Sequence, residues 1–452
     1  MIAPGLDAQY QTNLDKAVKK MQDAGVDSTA IKVFTRHYQA LVSGATGIIR
    51  EADIEPVKSL PKLADIQVSR ESSTNALKKT VVIKLNGGLG TSMGLDKAKS
   101  LLPVRDNKTF LDIIIGQIMY TRQETAARLP LIFMNSYRTR GDTSKYLENY
   151  DDLKVGDLPV DFLQNSNPKI YVDDLSPAEW PEAPELEWNP PGHGDVYPAL
   201  WSSGILDELI RNGFEYAFIS NSDNLGATLD EQIAGWFAES GASFAMEVCR
   251  RSVNDRKGGH LAIRKADRRI ILRESAQTAP EEMESFTDEN LYTFFNTNTI
   301  WINLHRLREV LKETDGILEL PFIRNVKTID PTNPKSPEVI QLESAMGSAI
   351  EIFEGATAIE VSRSRFMPVK TTNELLLMRS DAYEIDDTYR LKQKIKKLPR
   401  IELDSRYYKF IDDFDKRFKV IPSLKDVDSL KVMGDHIFDQ PLNLTGDVLF
   451  SE

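Results

Sequence analysis

Apolar side chains recur at helical spacing through residues 6–48. Residues three or four apart share one face of a helix, so the two stripes indicate two amphipathic helices, each burying one side. The stripes consist of Leu14, Ala17, Val18 and Met21, and of Ile31, Phe34, Tyr38 and Leu41. Asp27 or Ser28 between them is a suitable N-cap. We therefore predict a helical N-terminal segment over residues 1–75, with packing or interaction as its role.

Between residues 76 and 380, strand-like apolar runs alternate with helical periods. Residues 81–85, 129–134 and 214–220 are short apolar runs, and residues 110–122 have the spacing of a helix. This alternation is typical of an α/β fold, in which parallel strands are buried on both faces. We expect a mixed sheet that binds ligands at the carboxyl ends of its strands.

The last part of the chain, residues 381–452, has a different character. Residues 386–397 are rich in charge and predict a helix or a linker. The stretch GDHIF (434–438) is echoed twelve positions later by GDVLF (446–450), with alternating apolar positions. This spacing fits the coils of a small β-solenoid. About two coils are too few to bury a core, so they need support from the rest of the protein or from a partner.

Composition and charge narrow the possible classes of protein. The chain has 452 residues and a net charge of −12. Acidic residues throughout argue against a broad basic face for nucleic acid or anionic membrane, and no apolar run approaches a membrane span. Cys249 is the single cysteine and lies in an apolar run, which indicates a packed thiol and a reducing compartment. The N-terminal sequence has no secretion signal, so we expect a cytoplasmic protein.

The apolar run 81–85 leads into the glycine-rich stretch NGGLGTSMG (86–94). Glycines let backbone N–H groups approach an anion closely, so a loop of this kind at a strand end predicts a phosphate site. The spacing fits neither the dinucleotide fingerprint nor the Walker loop, because Lys99 stands nine residues beyond Gly90. The alternative is a glycine turn that only lets a helix pack against the strand.

A second polar turn, NSDNLG (221–226), follows the apolar run 214–220. It delivers Asp223 to the sheet edge where the glycine loop is expected. One or two carboxylates together with substrate phosphates are the ligands that Mg²⁺ prefers. The alternative is an Asx turn closed by Gly226. Beside a phosphate loop, we favour the metal site.

Two further stretches carry polar groups suited to a base or a sugar. His193 lies between glycines in PPGHGD (190–195), where the backbone can approach a planar or phosphorylated group. It has no second His or Cys at ligand spacing, so a zinc site is not expected. In FNTNTIW (295–301), Asn296 and Asn298 on a strand would share one face and offer amides to sugar hydroxyls. The alternative for this pair is the polar face of an edge strand.

Cations at alternate positions mark the stretch RSRFMPVKTT (363–372). Arg363, Arg365 and Lys370 could clamp phosphates at a strand end. Exposed cations on strands are common, so this stretch points to function only together with the other motifs.

Together these motifs resemble those of the eukaryotic-type UDP-glucose pyrophosphorylases, the UTP:glucose-1-phosphate uridylyltransferases. The matching stretches, in family order, are KLNGGLGTSMG (84–94), Lys99-Ser100, PPGHGD (190–195), NSDNLGAT (221–228), KGGHL (257–261), FNTNTIW (295–301) and RSRFMPVKTT (363–372). The resemblance implies an α/β fold. It has a Rossmann-like nucleotide-diphosphosugar transferase core with a mixed sheet, a helical N-terminal segment, and a linker followed by a short, truncated left-handed β-helix.

The resemblance also implies roles for individual residues. The UTP-binding residues would be Leu85, Asn86, Gly87, Gly88, Lys99, Gln164, Gly192, Asp223 and Lys370. The residues that bind glucose 1-phosphate would be His193, Asn221, Ser222, Asp223, Gly259, Glu274, Asn296 and Asn298. Lys99 and Lys370 would be catalytic by neutralising the reacting phosphates, and Asp223 would ligate Mg²⁺.

The implied reaction is reversible transfer of a uridylyl group from UTP to glucose 1-phosphate, which gives UDP-glucose and pyrophosphate. No covalent protein intermediate is needed, because the attacking phosphate is already anionic; positioning and charge neutralisation suffice. Two alternatives are a broader UDP-sugar pyrophosphorylase and a non-catalytic UDP-glucose sensor. Lys99, Asp223 and Lys370 together argue against the sensor. We also expect homo-oligomer formation through the apolar edge around residues 448–450.

Overall fold

The computed structural model of the chain describes residues 7–252, residue 255 and residues 258–451, and Lys257 of the KGGHL motif lies outside them. In chain order the helices are α1 (Ala8–Asp23), α2 (Ser28–Val42), α3 (Arg70–Lys78), α4 (Phe110–Thr125), α5 (Arg140–Leu147), α6 (Val196–Ser202), α7 (Ile205–Arg211), α8 (Glu231–Ser240), α9 (Met283–Thr287), α10 (Leu304–Glu313), α11 (Thr372–Arg379), α12 (Ser405–Tyr408) and α13 (Ile411–Arg417).

The strands are short, as is usual in α/β proteins. They are β1 (Ile54–Pro56), β2 (Thr80–Asn86), β3 (Pro103–Arg105), β4 (Lys108–Thr109), β5 (Leu131–Asn135), β6 (Asp161–Leu163), β7 (Asn167–Pro168), β8 (Ile170–Tyr171), β9 (Trp188–Asn189), β10 (Tyr216–Asn221), β11 (Phe244–Arg250), β12 (His260–Arg264), β13 (Ile270–Arg273), β14 (Phe294–Asn303), β15 (Phe322–Thr328), β16 (Glu338–Ser344), β17 (Thr357–Glu360), β18 (Tyr383–Ile385), β19 (Leu391–Gln393), β20 (Arg400–Leu403), β21 (Ser423–Val432) and β22 (Asn443–Phe450).

Tertiary contacts divide the chain into two compact units, each made of separate stretches. The first unit comprises Met1–Val81, Phe162–Ile219 and Gln232–Val361. The second unit comprises Val82–Asp161, Ser220–Glu231 and Ser362–Glu452. The division of the chain into residues 1–75, 76–380 and 381–452 stays a prediction.

The first unit contains the two helices predicted from the N-terminal stripes. The Asp27 side chain accepts a hydrogen bond from Thr29 N at 2.7 Å and caps α2, one of the two residues expected there. Apolar side chains of α1 and α2 share a buried cluster with residues of β8, β15 and β16, including Ile170 and Phe322. The two predicted N-terminal helices are therefore confirmed.

The main sheet of the first unit mixes parallel and antiparallel pairs, as predicted. Strand β12 lies between β1 and β14, and β14 is followed by β10. Strand β13 pairs with β12, and β11 pairs antiparallel with β14 and parallel with β17. Cys249 is buried on β11, in agreement with its interpretation as a packed thiol. The glycines of the KGGHL motif immediately precede β12 in this sheet, and the amides of the FNTNTIW motif lie within β14.

The second unit contains the strand that leads into the glycine loop. Strand β2 is buried along its whole length and runs parallel to β5, with Val82 opposite Leu131 and Asn86 opposite Asn135. Helix α4 begins after a reciprocal cap between Thr109 and Asp112, within a residue of its predicted start. The predicted strands and helix of this region are confirmed with shifts of a few residues at their ends.

The C-terminal part of the second unit departs from two predictions. Residues 386–397 include the turn and second strand of the hairpin β18–β19 instead of a helix, with Ile385 opposite Leu391 and with Tyr383 and Leu391 buried. Lys394 also forms an ion pair with Glu384, and Lys392 with Asp386. The strands β20, β21 and β22 pair in parallel. Of the two repeat stretches, only 446–450 lies on a strand; Phe438 instead stacks on Phe418 at 4.5 Å.

Within the part of the chain that the structure describes, no helix combines the length and the apolar character needed to cross a membrane.

Candidate active site

The glycine loop leaves β2 at Asn86 and folds back over Lys99. Lys99 N donates to Gly88 O at 3.1 Å. Gly90 has a φ of +68°, and a Cβ built there would lie 2.9 Å from Leu95 Cδ1 and 3.2 Å from Lys99 Cγ. A side chain at Gly90 would therefore be strained and would push on Lys99. Eight residues separate Gly90 from Lys99; they include the 3₁₀ turn Thr91–Met93, and Lys99 begins a second 3₁₀ turn, Lys99–Leu101.

Lys99 forms an ion pair with Asp223 in the second unit. The distance from Lys99 Nζ to Asp223 Oδ2 is 2.7 Å, and the two side chains are 14% and 22% exposed. The other carboxylate oxygen, Asp223 Oδ1, is buried and has no hydrogen-bond partner among the described residues. Val369 N donates to Asp223 O at 3.2 Å, so Lys370 follows directly. The structure thus brings Lys99, Asp223 and the backbone next to Lys370 together.

Side chains of the two polar turns brace each other. Ser222 donates to Leu85 O through N at 3.0 Å and through Oγ at 2.9 Å, and Oγ is also 3.0 Å from Asn86 Oδ1. Asn86 Nδ2 donates to Asn135 Oδ1 at 2.8 Å and to Thr143 Oγ1 at 3.0 Å. The side chains of Asn86 and Ser222 are occupied within the protein, and what remains for a ligand is mainly the backbone of the loop.

Lys84 is a residue for which the sequence motif gave no role. It is 2% exposed in the middle of β2, and its Nζ donates to Ser220 Oγ and to Ala227 O, both at 2.8 Å. These bonds fix both ends of the turn that carries Asp223. In the sequence, the sign of this role was a lysine inside an apolar strand, because a buried ammonium group requires several hydrogen-bond acceptors.

The RSRFMPVKTT stretch is not the strand that its alternating cations suggested. Arg363–Arg365 is a 3₁₀ turn in which Arg365 is buried, with Nη2 donating to Thr228 O at 2.8 Å. Asn224 Nδ2 in turn donates to Arg365 O at 3.1 Å. Arg365 therefore joins this turn to the Asp223 turn. Lys370 is exposed and forms no ion pair with any residue that the structure describes.

In the first unit, Gly192 and His193 lie against the end of β16. Gly192 has a φ of +81°, and a Cβ there would lie 2.5 Å from Ser344 O, so only glycine fits. Met346 N donates to His193 Nδ1 at 2.9 Å. Burial lowers the pKa of His193 to about 4. The ring is thus neutral near pH 7, with its proton on Nε2, and acts as a donor without bringing a charge.

Asp195 is a second residue that received no role from the motif. Its carboxylate accepts from Asn165 N at 2.6 Å and from Asn165 Nδ2 at 2.9 Å, and burial raises the pKa of Asp195 to about 7. Asn165 follows Gln164, so Asp195 ties Gln164 to the Gly192 turn. The Gln164 side chain is itself buried, at 8% exposed. In the sequence, the sign of this role was the acidic residue at the end of the PPGHGD motif.

Four predicted sugar-binding residues form a cluster in the first unit, which we call the sugar corner: Gly259, Glu274, Asn296 and Asn298. Asn296 N donates to Gly259 O at 2.9 Å, and a Cβ on Gly259 would lie 2.6 Å from the Glu274 carboxylate. Asn296 Nδ2 donates to Asn298 Oδ1 at 2.9 Å. A Cβ on Gly347, next to Met346, would lie 3.4 Å from Asn296 Nδ2. His193 is therefore close to this corner.

The amide pair is not arranged by regular strand alternation. The pairing of β11 with β14 shifts register between Glu247 and Val248, which face Thr299 and Asn296. Asn298, inside this bulge, has a φ of +54°. The bulge bends the strand so that both amides meet. The two amides therefore lie side by side, as predicted, but a strained bulge brings them together and not simple strand alternation. Such strain is often found at functional sites.

The chain was compared with protein families and with known proteins. Residues 31–445 match the family model described as UTP--glucose-1-phosphate uridylyltransferase. The uridylyltransferase of that name from Musa acuminata is 39% identical over 382 residues, which cover 84% of this chain and 79% of the relative. A UTP--glucose-1-phosphate uridylyltransferase from Encephalitozoon cuniculi is 36% identical and covers 89% of this chain and 79% of the relative.

Solved structures show the same fold along nearly the whole chain. UDP-glucose phosphorylase from Trypanosoma brucei superimposes with a TM-score of 0.91 at 44% identity, covering 97% of this chain and 95% of that one. A mutant UDP-glucose pyrophosphorylase from Leishmania major in complex with UDP-glucose gives a TM-score of 0.90 at 44% identity, covering 99% and 95%.

The α/β fold, the glycine loop and the Lys99–Asp223 ion pair, together with the family match, place the chain among the nucleotidyltransferases. The extent of the family match and of the relatives' identity makes the assignment specific. The chain belongs to the UTP–glucose-1-phosphate uridylyltransferase family.

Proposed function

We propose that this enzyme reversibly transfers a uridylyl group from UTP to glucose 1-phosphate by direct in-line attack. An oxygen of the sugar phosphate forms a bond to the α-phosphorus, the bond to the bridging oxygen breaks, and its electron pair leaves with pyrophosphate. The observation that carries the proposal is the ion pair between Lys99 and Asp223, beside which the hydrogen bond from Val369 N to Asp223 O holds the backbone that leads into Lys370. Lys99, together with Lys370 once its side chain contacts substrate, would offset the repulsion between two anionic substrates.

The residues at Asp223 fit a magnesium ion. Asp223 Oδ1 is a buried oxygen without a partner among the described residues, and one carboxylate plus substrate phosphates is a sufficient ligand set. The described residues contain no group of three or more His, Cys, Asp or Glu side chains that could hold a metal by themselves. When bound, Mg²⁺ would neutralise charge on the triphosphate and on the leaving pyrophosphate.

The remaining predicted residues divide between the two units. In the second unit, the backbone of Leu85, Gly87 and Gly88 would contact UTP, and Asn221 and Ser222 would approach the sugar phosphate. In the first unit, Gln164 and Gly192 would bind uracil, His193 would donate to the sugar phosphate, and the sugar corner would bind glucose. Support comes from the buried Gln164 side chain, the neutral His193 ring and the paired amides.

Lys370→Ala tests the proposed chemistry. The turnover rate should fall by about a hundredfold or more, because a cation aimed at developing negative charge is lost. The melting temperature should stay unchanged, since Lys370 is exposed and unpaired among the described residues. Pyrophosphate release from UTP plus glucose 1-phosphate, with and without Mg²⁺, measures the rate, and Lys425→Ala is a matched exposed control. Near-normal turnover of Lys370→Ala contradicts the role.

Substrate range is decided by the same assay. Rates with glucose 1-phosphate and galactose 1-phosphate distinguish a glucose enzyme from a broader UDP-sugar pyrophosphorylase. Absence of pyrophosphate release with every sugar phosphate, together with retained UDP-glucose binding, would establish a sensor instead.

The finer architecture belongs to the same proposal. The core would be Rossmann-like, and the parallel strands β20, β21 and β22 would be the coils of a short left-handed β-helix. Among the described residues, β22 pairs with β21 alone, and Leu449 on it is 63% exposed. This edge would support a homo-oligomer. The place of action would be the cytoplasm.

A further inference from the structure

The chain segment between α2 and β1 is fastened to the loop that follows the sugar corner. Ile49 N donates to Gln277 O at 2.8 Å. Gln277 belongs to the turn that Glu274 caps: Glu274 N donates to Gln277 Oε1 at 2.9 Å. All of these residues lie in the first unit. An N-terminal segment without predicted chemistry is thus in direct contact with the turn of a proposed sugar ligand.

Two residues beyond Ile49, Glu51 enters a buried charge network. Arg273 is fully buried; its Nη1 is 2.7 Å from Glu51 Oε2, and it also forms an ion pair with Glu282. Tyr292 Oη donates to Glu51 Oε1 at 2.6 Å, and Glu51 N donates to Glu282 Oε2 at 3.0 Å. The Arg273 guanidinium, Glu282 and Glu51 therefore close a ring of directed bonds through the Glu51 carboxylate and backbone N–H, and the Tyr292 phenol donates to this ring at Glu51.

This network lies one residue from the sugar corner on two strands. Arg273 precedes Glu274 at the end of β13 and is paired in register with His260 on β12, which follows Gly259. The His260 ring stacks on Tyr292 with centroids 3.8 Å apart. The Glu274 carboxylate lies against Gly259 so closely that a Cβ would be 2.6 Å away. Any shift of β13 relative to β12 would move this carboxylate.

We propose that Glu51 and Arg273 are positioning residues that hold the Glu274 carboxylate in register for the sugar of the substrate. The proposal rests on the proposed function, in which Glu274 binds glucose. Apolar residues could fill the same space at no loss of stability, because burying a charge is costly. A guanidinium held by two carboxylates, in contrast, fixes the orientation of the strand end that carries it, since its planar N–H groups bond only to acceptors in certain directions.

The test compares binding of UDP-glucose with binding of UDP, which lacks the sugar, by titration calorimetry. Glu51→Gln and Tyr292→Phe remove a charge and a single hydrogen bond from the network. We expect affinity for UDP-glucose to fall about tenfold for Glu51→Gln and less for Tyr292→Phe, with affinity for UDP within about twofold of wild type. Arg273→Lys should retain part of the wild-type preference for UDP-glucose over UDP. Kinetically, KM for glucose 1-phosphate should rise more than KM for UTP.

Lys20→Met is the matched control, because it breaks a comparably buried ion pair with Glu187 in the same unit. Its UDP-glucose preference should equal that of wild type. Loss of UDP and UDP-glucose affinity in equal proportion, or an unchanged preference in both network variants, overturns the proposal. Glu274→Gln distinguishes failure of the proposed function from failure of this inference. If Glu274→Gln leaves the preference for UDP-glucose over UDP unchanged, Glu274 does not bind the sugar and both proposals fall. If Glu274→Gln lowers that preference while Glu51→Gln and Tyr292→Phe leave it unchanged, only the positioning role is refuted.

Discussion

At the scale of single residues, the ion pair between Lys99 and Asp223 creates a competition for one carboxylate. Lys99 Nζ forms an ion pair with Asp223 Oδ2, while Asp223 Oδ1 is buried and has no hydrogen-bond partner among the described residues. A divalent cation that binds Asp223 must share or displace this ammonium group. The unliganded enzyme is therefore expected to bind metal weakly until a triphosphate draws Lys99 away.

Lys99→Met should strengthen binding of Mn²⁺ in the absence of nucleotide. Removing the nearby positive charge leaves the carboxylate free, and we expect a gain of about tenfold in affinity. Electron paramagnetic resonance of Mn²⁺ measures this directly. Lys97→Met removes an equal charge from an exposed neighbour and should leave the affinity unchanged. Equal affinities in all three proteins would show that Lys99 does not compete.

Asp195 predicts a pH dependence of stability. Its carboxyl group titrates at 3.8 in the unfolded chain and at about 7 in the folded one, because burial disfavours the charge. Between these values the folded state holds a proton that the unfolded state lacks, so this group's contribution to stability decreases as pH rises. Asp195→Asn should remove that loss, which we estimate at about 2 kcal/mol between about pH 5 and about pH 7.

Urea unfolding of wild type and Asp195→Asn at the two pH values measures the difference, in which the other titrating groups cancel. Wild type should lose more stability than the variant on raising the pH. Parallel changes in both proteins would mean that Asp195 titrates normally in the folded state.

At the scale of elements, two glycines of one loop should respond differently to alanine. Gly90→Ala should cost about 1–2 kcal/mol of stability, because of its positive φ and the contact with Lys99. A Cβ on Gly88 meets nothing within 4 Å, so Gly88→Ala should keep full stability. It should raise KM for UTP if the backbone there approaches a phosphate. Thermal unfolding and steady-state kinetics measure the two effects; equal destabilisation by both would contradict them.

Elements with strong local signals were predicted well, and those set by long-range pairing were not. Helix α2 has an apolar stripe and a cap at Asp27, and α4 has a reciprocal cap at Thr109, so neighbours in sequence determine them. The hairpin β18–β19 depends on the pairing of Tyr383 with Gln393, ten positions away in sequence. The bulge at Asn298 depends on the register of β11 against β14. Such pairings leave no periodic pattern in one segment.

At the scale of the whole molecule, the C-terminal edge is where a homo-oligomer is proposed. Leu449→Lys places a charge on the exposed side of β22, and lysine on an edge opposes pairing with another strand. Sedimentation of wild type should show an assembly that this variant shifts toward single chains. Val326→Lys, on the exposed face of β15, is the control. The same mass for wild type and Leu449→Lys would exclude this edge.

The sequence by itself indicated the kind of site in this protein: the glycine loop after a buried strand and the carboxylate turn are local, because each needs only residues close in sequence. The paired amides were visible as residue types, but their arrangement depends on the register of β11 against β14. Only the tertiary structure decided which side chains fix these elements in place. Lys84 under the Asp223 turn, Asp195 on Asn165 and Arg273 between Glu51 and Glu282 are long-range contacts of buried charges. A charged residue inside an apolar segment indicates that it must have hydrogen-bond or ion-pair partners. Only the fold decides which residues these partners are, since spacing along the sequence does not give the burial of remote residues or the distances between them.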